Sequence, residues 1–236
     1  MFIGHFAVGF AAKRAAPRTS LATLMAAAQL VDLVWPAFVL LGVERVRVAP
    51  GNTAFTPLDF ESYPWTHSLL MVLVWAAAFG IAYRARTGYV RGAWVAAGLV
   101  LSHWVLDWVT HRPDLQFAPG VDARTGLGLW SSVPATVIVE GALFAAGLGV
   151  YLSTTRARNR KGSIGLWAFV AFLVLAYAGN LGQVPPGPTA IAAVGLLGGF
   201  VLLVWAWWLD RNREVRPSLP EPASAPVPGV PPRPPA

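Results

Sequence analysis

Cysteine is absent from the chain, which excludes disulfides, thiolate nucleophiles and thiolate metal sites. Charge is scarce too. Only 12% of the 236 residues are charged while 56% are hydrophobic, roughly half the charged share of a soluble domain, so the chain reads as a membrane protein. No Gly-rich phosphate loop or serine-nucleophile elbow is evident. Ser102 directly precedes His103, but adjacent residues on a helix point about 100° apart, so the two make no nucleophile pair. What the chain has in quantity is Trp, 11 of them, a residue that suits the belts at membrane interfaces.

Six apolar segments, at about 20–42, 64–84, 92–112, 133–153, 164–182 and 189–209, each approach the length of about 20 residues that spans a bilayer. The expected fold is all-α: a polytopic membrane helix bundle of about six transmembrane helices plus a short N-terminal apolar helix over residues 2–12. That first segment is too short to span. It carries Lys13, Arg14 and Arg18 after its apolar run, where a cleavable signal peptide would carry them before it, so it is expected to stay in the mature protein. Pro36 is expected to kink the first span, and Pro185-Pro186-Gly187-Pro188 to join the last two as an antiparallel pair. Residues 1–213 form the membrane domain, and 214–236 a Pro-rich, disordered cytoplasmic tail.

The formal charge of +7 invites a nucleic-acid reading until the positions of the charges are considered. Of the 18 basic residues, 14 fall on the side of the two termini, and Arg45, Arg47, Arg112 and Arg124 fall on the other. By the positive-inside rule the chain is integral to the inner membrane with both termini cytoplasmic, and the basic surplus reports topology. The expected partners are therefore membrane lipids and an amphiphilic small-molecule substrate, with no nucleic acid. The long outer loops, 43–63 and 113–132, are rich enough in aromatic, Gly and Pro residues to form ordered caps over an outward-facing site.

The chemistry lies in the third span, where Ser102 to His111 places His103, Asp107 and His111 at steps of four. On a continuous helix these three share one face within about 80°. Such groups at membrane depth are expensive unless they pair, bind a metal or face a water-filled cavity. Asp32 and Glu140, the other acids inside the spans, fall at a similar depth to Asp107, and His67 lies near the outer end of the second span. A half-helix rising from the cytoplasmic side brings His5 to the midplane, so all four histidines and these three acids can form one cluster. Imidazole and carboxylate without sulfur suit a divalent metal, Zn²⁺ first, with Mn²⁺ or Fe²⁺ as alternatives. An open coordination position would lower the pKa of a bound water to about 7. Glu140 or Asp32 is left to serve as base or to orient a ligand.

These residues resemble the family of membrane-bound metal-dependent hydrolases related to the bacterial YdjM protein, also described as LexA-binding inner-membrane proteins. Gly4-His5, Asp32, Thr66-His67-Ser68-Leu69-Leu70 and Ser102-His103 with Asp107 and Thr110 carry the resemblance, over about the first 112 residues. It implies a metal site of His5, Asp32, His67, His103 and Asp107, similar in ligand order to zinc-dependent phospholipase C enzymes. The family's Pro-Asp-x-Asp is reduced here to Val31-Asp32-Leu33, and its basic tripeptide before Thr-His-Ser becomes Tyr63-Pro64-Trp65. His111 stands where the family more often has a loop residue and is a candidate substitute ligand. The leading expectation is a hydrolase of a lipid-like ester or phosphoester. The alternative is a small transporter or proton relay built on the same cluster.

Overall fold

A computed structural model describes residues 1–181 and 183–217; the tail expected at 214–236 lies outside the described residues from 218 onward. Five helices are long and apolar enough to span a membrane: α5 (Leu69–Thr87), α6 (Val90–Thr110), α7 (Val133–Thr154), α8 (Arg160–Gly179) and α9 (Pro188–Asn212). The sixth span is broken. Its two pieces, α2 (Leu21–Ala28) and α3 (Leu30–Leu40), meet at 56°. The break falls at Gln29, whose φ of −106° and ψ of 6° leave the α region, while Pro36 sits inside α3. The expected kink site is thus displaced by seven residues. The break has a use, because Ala28 at the end of α2 keeps a carbonyl that a side chain can reach.

The apolar N-terminal stretch is α1 (Ile3–Ala15), and it is central rather than peripheral, with Ile3, His5, Phe6, Ala7 and Phe10 buried. It lies chiefly against α7, where a side chain at Gly147 would strike the Ala7 backbone. Its phenylalanines enter a core with Phe144, Tyr151, Phe169 and Leu173. At its far end Lys13 binds the Thr19 carbonyl at 2.7 Å and Asp210 at 3.4 Å. A second core, of Leu24, Ala27, Val31, Val72, Ala96 and Val100, joins α2, α3, α5 and α6.

The two long loops are ordered caps. Strands β1 (Arg45–Val48) and β2 (Leu58–Ser62) pair antiparallel, as do β3 (Leu115–Gln116) and β4 (Arg124–Thr125). Arg112 bridges Asp59 of one cap and Asp114 of the other. At the opposite, basic end β5 (Thr155–Ala157) pairs with β6 (Arg213–Val215) and ties the end of α7 to the end of α9. Between β2 and α5 the single turn α4 (Pro64–His67) delivers His67 to the capped end of the bundle.

The helices α8 and α9 form the expected antiparallel pair, but they touch unevenly. Near the basic end Gly162 lies against Asn212 and Gly165 against Trp208. Toward the capped end they part, and α9 turns instead onto α3, with Gly195 against Pro36 and Gly199 against Leu33. The space left between α3, α8 and α9 is a cavity of about 650 Å³ roofed by Phe55 to Phe60.

Candidate metal centre

At the inner wall of that cavity the structure brings together His5, Asp32, His67, His103 and Asp107. Two overlapping groups, His5 with His103 and Asp107, and Asp32 with His67 and His103, each hold their ligand atoms within 4.8 Å of one another. Asp107 is the hub. Its Oδ1 lies 3.0 Å from His5 Nε2 and its Oδ2 3.1 Å from His103 Nε2 and 3.8 Å from His67 Nε2. Asp32 faces the same space from the broken span, 3.3 Å from His67 Nε2 and 3.6 Å from His103 Nε2. The imidazoles of His5 and His103 stack with centroids 3.6 Å apart. The Asp32 carboxylate is the accessible member, because it opens on the cavity.

Two of the three imidazoles are aimed by a group behind the ring, while the buried Nδ1 of His5 has no partner among the described residues. His103 Nδ1 donates to the Ala28 carbonyl at 2.8 Å, the one that the break at Gln29 leaves within reach. Its Nε2 is then the lone-pair nitrogen. That atom is buried and makes no hydrogen bond among the described residues, although an Asp107 oxygen is 3.1 Å away. Behind His67, Thr66 Oγ1 donates to Glu44 Oε2 at 2.7 Å and so accepts from His67 Nδ1 at 2.6 Å. Glu44 also accepts the Trp65 and Thr66 amides at 2.8 and 2.9 Å. Burial pushes the Glu44 carboxyl above its usual range while the Thr66 donors act against it. An outer-shell carboxylate behind a histidine fixes both tautomer and ring orientation.

The donor set could hold a metal ion. In their neutral forms His67 and His103 turn lone-pair Nε2 atoms toward carboxylate oxygens, an arrangement that a cation between them satisfies. The Met1 nitrogen lies 2.6 Å from Asp107 Oδ1.

Glu140 and His111 take different places. Glu140 Oε2 accepts the amides of Phe2 and Gly4 at 2.8 and 3.2 Å and so holds the start of α1, while its buried Oε1 has no partner among the described residues. His111 leaves the stripe that its spacing suggested. The helix α6 stops at Thr110 and His111 is extended, φ −67° and ψ 147°, because Pro113 two residues on opposes further helix. Its Nδ1 lies 3.0 Å from Asp114 Oδ1, an oxygen that also accepts the Tyr63 hydroxyl at 2.7 Å. Burial, and then the Asp114 carboxylate, holds the Tyr63 phenol well above its ordinary range, so it remains a donor. His111 lines the cavity but belongs to neither ligand group.

The family model described as YdjM inner membrane protein matches residues 1–183. The chain belongs to the YdjM inner membrane protein family. All five converging ligands, the two caps and the helices from α1 to α8 fall within the matched span, and the family's description together with the apolar helices makes the chain a membrane protein. No curated protein and no solved structure matches it.

Glu44, Thr66 and the Ala28 carbonyl are the supporting groups that sequence reasoning missed. A signal existed for Glu44. It is an acid in an otherwise apolar and basic turn after the first span, and the Thr66-His67 pair offers a hydroxyl through which it acts.

Proposed function

We propose that the chain is a membrane-bound, metal-dependent hydrolase of a lipid-like ester or phosphoester. The observation that carries this reading is the convergence of three imidazoles, two of them aimed by groups behind the ring, and two carboxylates beside a ligand-sized cavity. His5, Asp32, His67, His103 and Asp107 hold a divalent cation, Zn²⁺ by its donor preference. His103 has one free nitrogen and belongs to both groups, which favours one cation over two. When bound, the cation polarises a carbonyl or phosphoryl oxygen and acidifies water. Asp32, open to the cavity, is placed to accept a proton there. His111, aligned by Asp114 and Tyr63, is placed to exchange one with a leaving group from the same wall. Glu140 positions α1, and with it His5.

The transporter reading requires passage through the bundle. Below the cluster the packed residues Leu24, Ala27, Val31, Val72 and Val100 fill that route, which favours the hydrolase. Orientation follows the distribution of basic residues, with both termini cytoplasmic and the caps outside.

The test is elemental analysis of detergent-purified protein, with turnover measured on a chromogenic phosphodiester and a chromogenic acyl ester. Wild type should carry about one metal per chain and hydrolyse one of the two probes, as expected of a single site with an open position. His103→Ala and Asp107→Ala should lose both properties, and His111→Ala should keep the metal while turnover falls about 10²-fold or more. A metal-free wild type whose His103→Ala and Asp107→Ala variants behave identically would sink the proposal.

A further inference from the structure

We propose that the cavity between α3, α8 and α9 is an acyl-chain site entered sideways from the bilayer, and that Gly198 keeps its entrance open. The occupant is one chain of a bilayer glycerophospholipid, seated with its ester and phosphate groups at the cluster. The headgroup placement rests on the hydrolase reading; the chain site stands on the cavity alone.

The volume of about 650 Å³ falls in the range of ligand sites, about 300–1,000 Å³. One wall is polar, with Asp32, His67, Asp107 and His111. The remainder is mostly apolar, with Gln29, Thr56, Tyr177, Asn180 and Gln183 as its polar members, and an amphiphile matches that division. The mouth lies between two bilayer-spanning helices. Phe172 on α8 and Val194 on α9 line the cavity and are 44% and 72% exposed, so they belong at once to the cavity and to the lipid-facing surface. Gly198 lies ten residues into α9, about 15 Å from its capped end and so near the middle of a hydrocarbon core of about 30 Å. What adjoins an opening at that depth is a lipid tail.

Two neighbouring glycines have a packing reason, since Gly195 meets Pro36 and Gly199 meets Leu33. Gly198 does not. It lines the cavity, yet a Cβ built there has no heavy atom within 4 Å. A glycine within a helix costs about 1 kcal/mol relative to alanine; Gly98, Gly141, Gly149 and Gly179 are uncrowded too, but of these helical glycines only Gly198 lines the cavity. Here the missing side chain leaves the passage between Val194 and Leu202 clear.

The experiment uses the full chain in vesicles of phosphatidylethanolamine and phosphatidylglycerol, doped with a phosphatidylethanolamine whose acyl chain ends in a diazirine. Irradiation is followed by peptide mapping. Wild type should be labelled at Leu202 and Trp35, which line the cavity at 7% and 8% exposure, as well as at the outward Leu175 and Leu197. Gly198→Phe should cut the label at Leu202 and Trp35 by about tenfold or more, with Leu175 and Leu197 unchanged. Gly198→Ala and Gly198→Leu should fall between, in order of size, and supply the answer if the phenylalanine variant fails to elute as a single species. Labelling confined to the outward residues, indifference to side-chain size at 198, or cross-links joining two copies through α8 and α9 would overturn the proposal. Metal analysis on the same samples separates the two readings: metal-free protein with intact cavity labelling removes the hydrolase and leaves the chain site.

Discussion

At the scale of single residues, the proposed metal centre rests on atoms that would never touch a cation. The hydroxyl of Thr66 relays the Glu44 carboxylate to His67 Nδ1, and valine matches its shape without the relay. Thr66→Val should therefore lower metal affinity by about 10–100-fold, the usual cost of removing an outer-shell partner, with little loss of helicity. Isothermal titration of the metal-stripped protein, with circular dichroism as the control, measures it; unchanged affinity would remove Glu44 and Thr66 from the site. His103 and Asp107 were legible in the sequence, because a spacing of four on an apolar helix admits one geometry. The aim of His103 was not, since the carbonyl that receives its proton lies 75 residues away.

At the scale of elements, the decisive pieces are those that fail to span. The half-helix α1 carries His5 to the cluster, and the break between α2 and α3 frees a carbonyl for His103 while it sets Asp32 on the cavity. Non-helical backbone at membrane depth is tolerated where protein surrounds it or a cavity receives it, and both conditions hold here. The seat of α1 is its contact with α7 at Gly147. Gly147→Val should drive the two helices apart at a cost of about 1–3 kcal/mol, lower the thermal midpoint in detergent and reduce bound metal by displacing His5. Retention of full metal content by a destabilised variant would show that α1 does not position the ligand.

For the whole molecule, the distribution of basic residues carries the proposed orientation, with the caps outside. The absence of cysteine makes single-cysteine mapping direct. With the caps outside, Asp122→Cys should react with an impermeant maleimide on intact cells, and Lys161→Cys only after permeabilisation. The reverse pattern would invert the topology and place the cluster on the cytoplasmic side. Phe55 to Phe60, from the β1–β2 loop and β2, roof part of the cavity, and Asn180 and Gln183 line it as well.

The sequence by itself determined the all-α membrane class, the number of apolar segments, the asymmetry of basic residues and the pairing of His103 with Asp107. These follow from composition and from the period of a helix, which need no knowledge of neighbours. Only the tertiary structure decided that the first span breaks at Gln29 rather than at Pro36, that His111 turns to Asp114, that Glu140 holds α1, and that α8 and α9 part around a cavity. Each of these depends on contacts between segments far apart in the chain. A carbonyl, a carboxylate or a gap acquires its role from whatever packing brings against it.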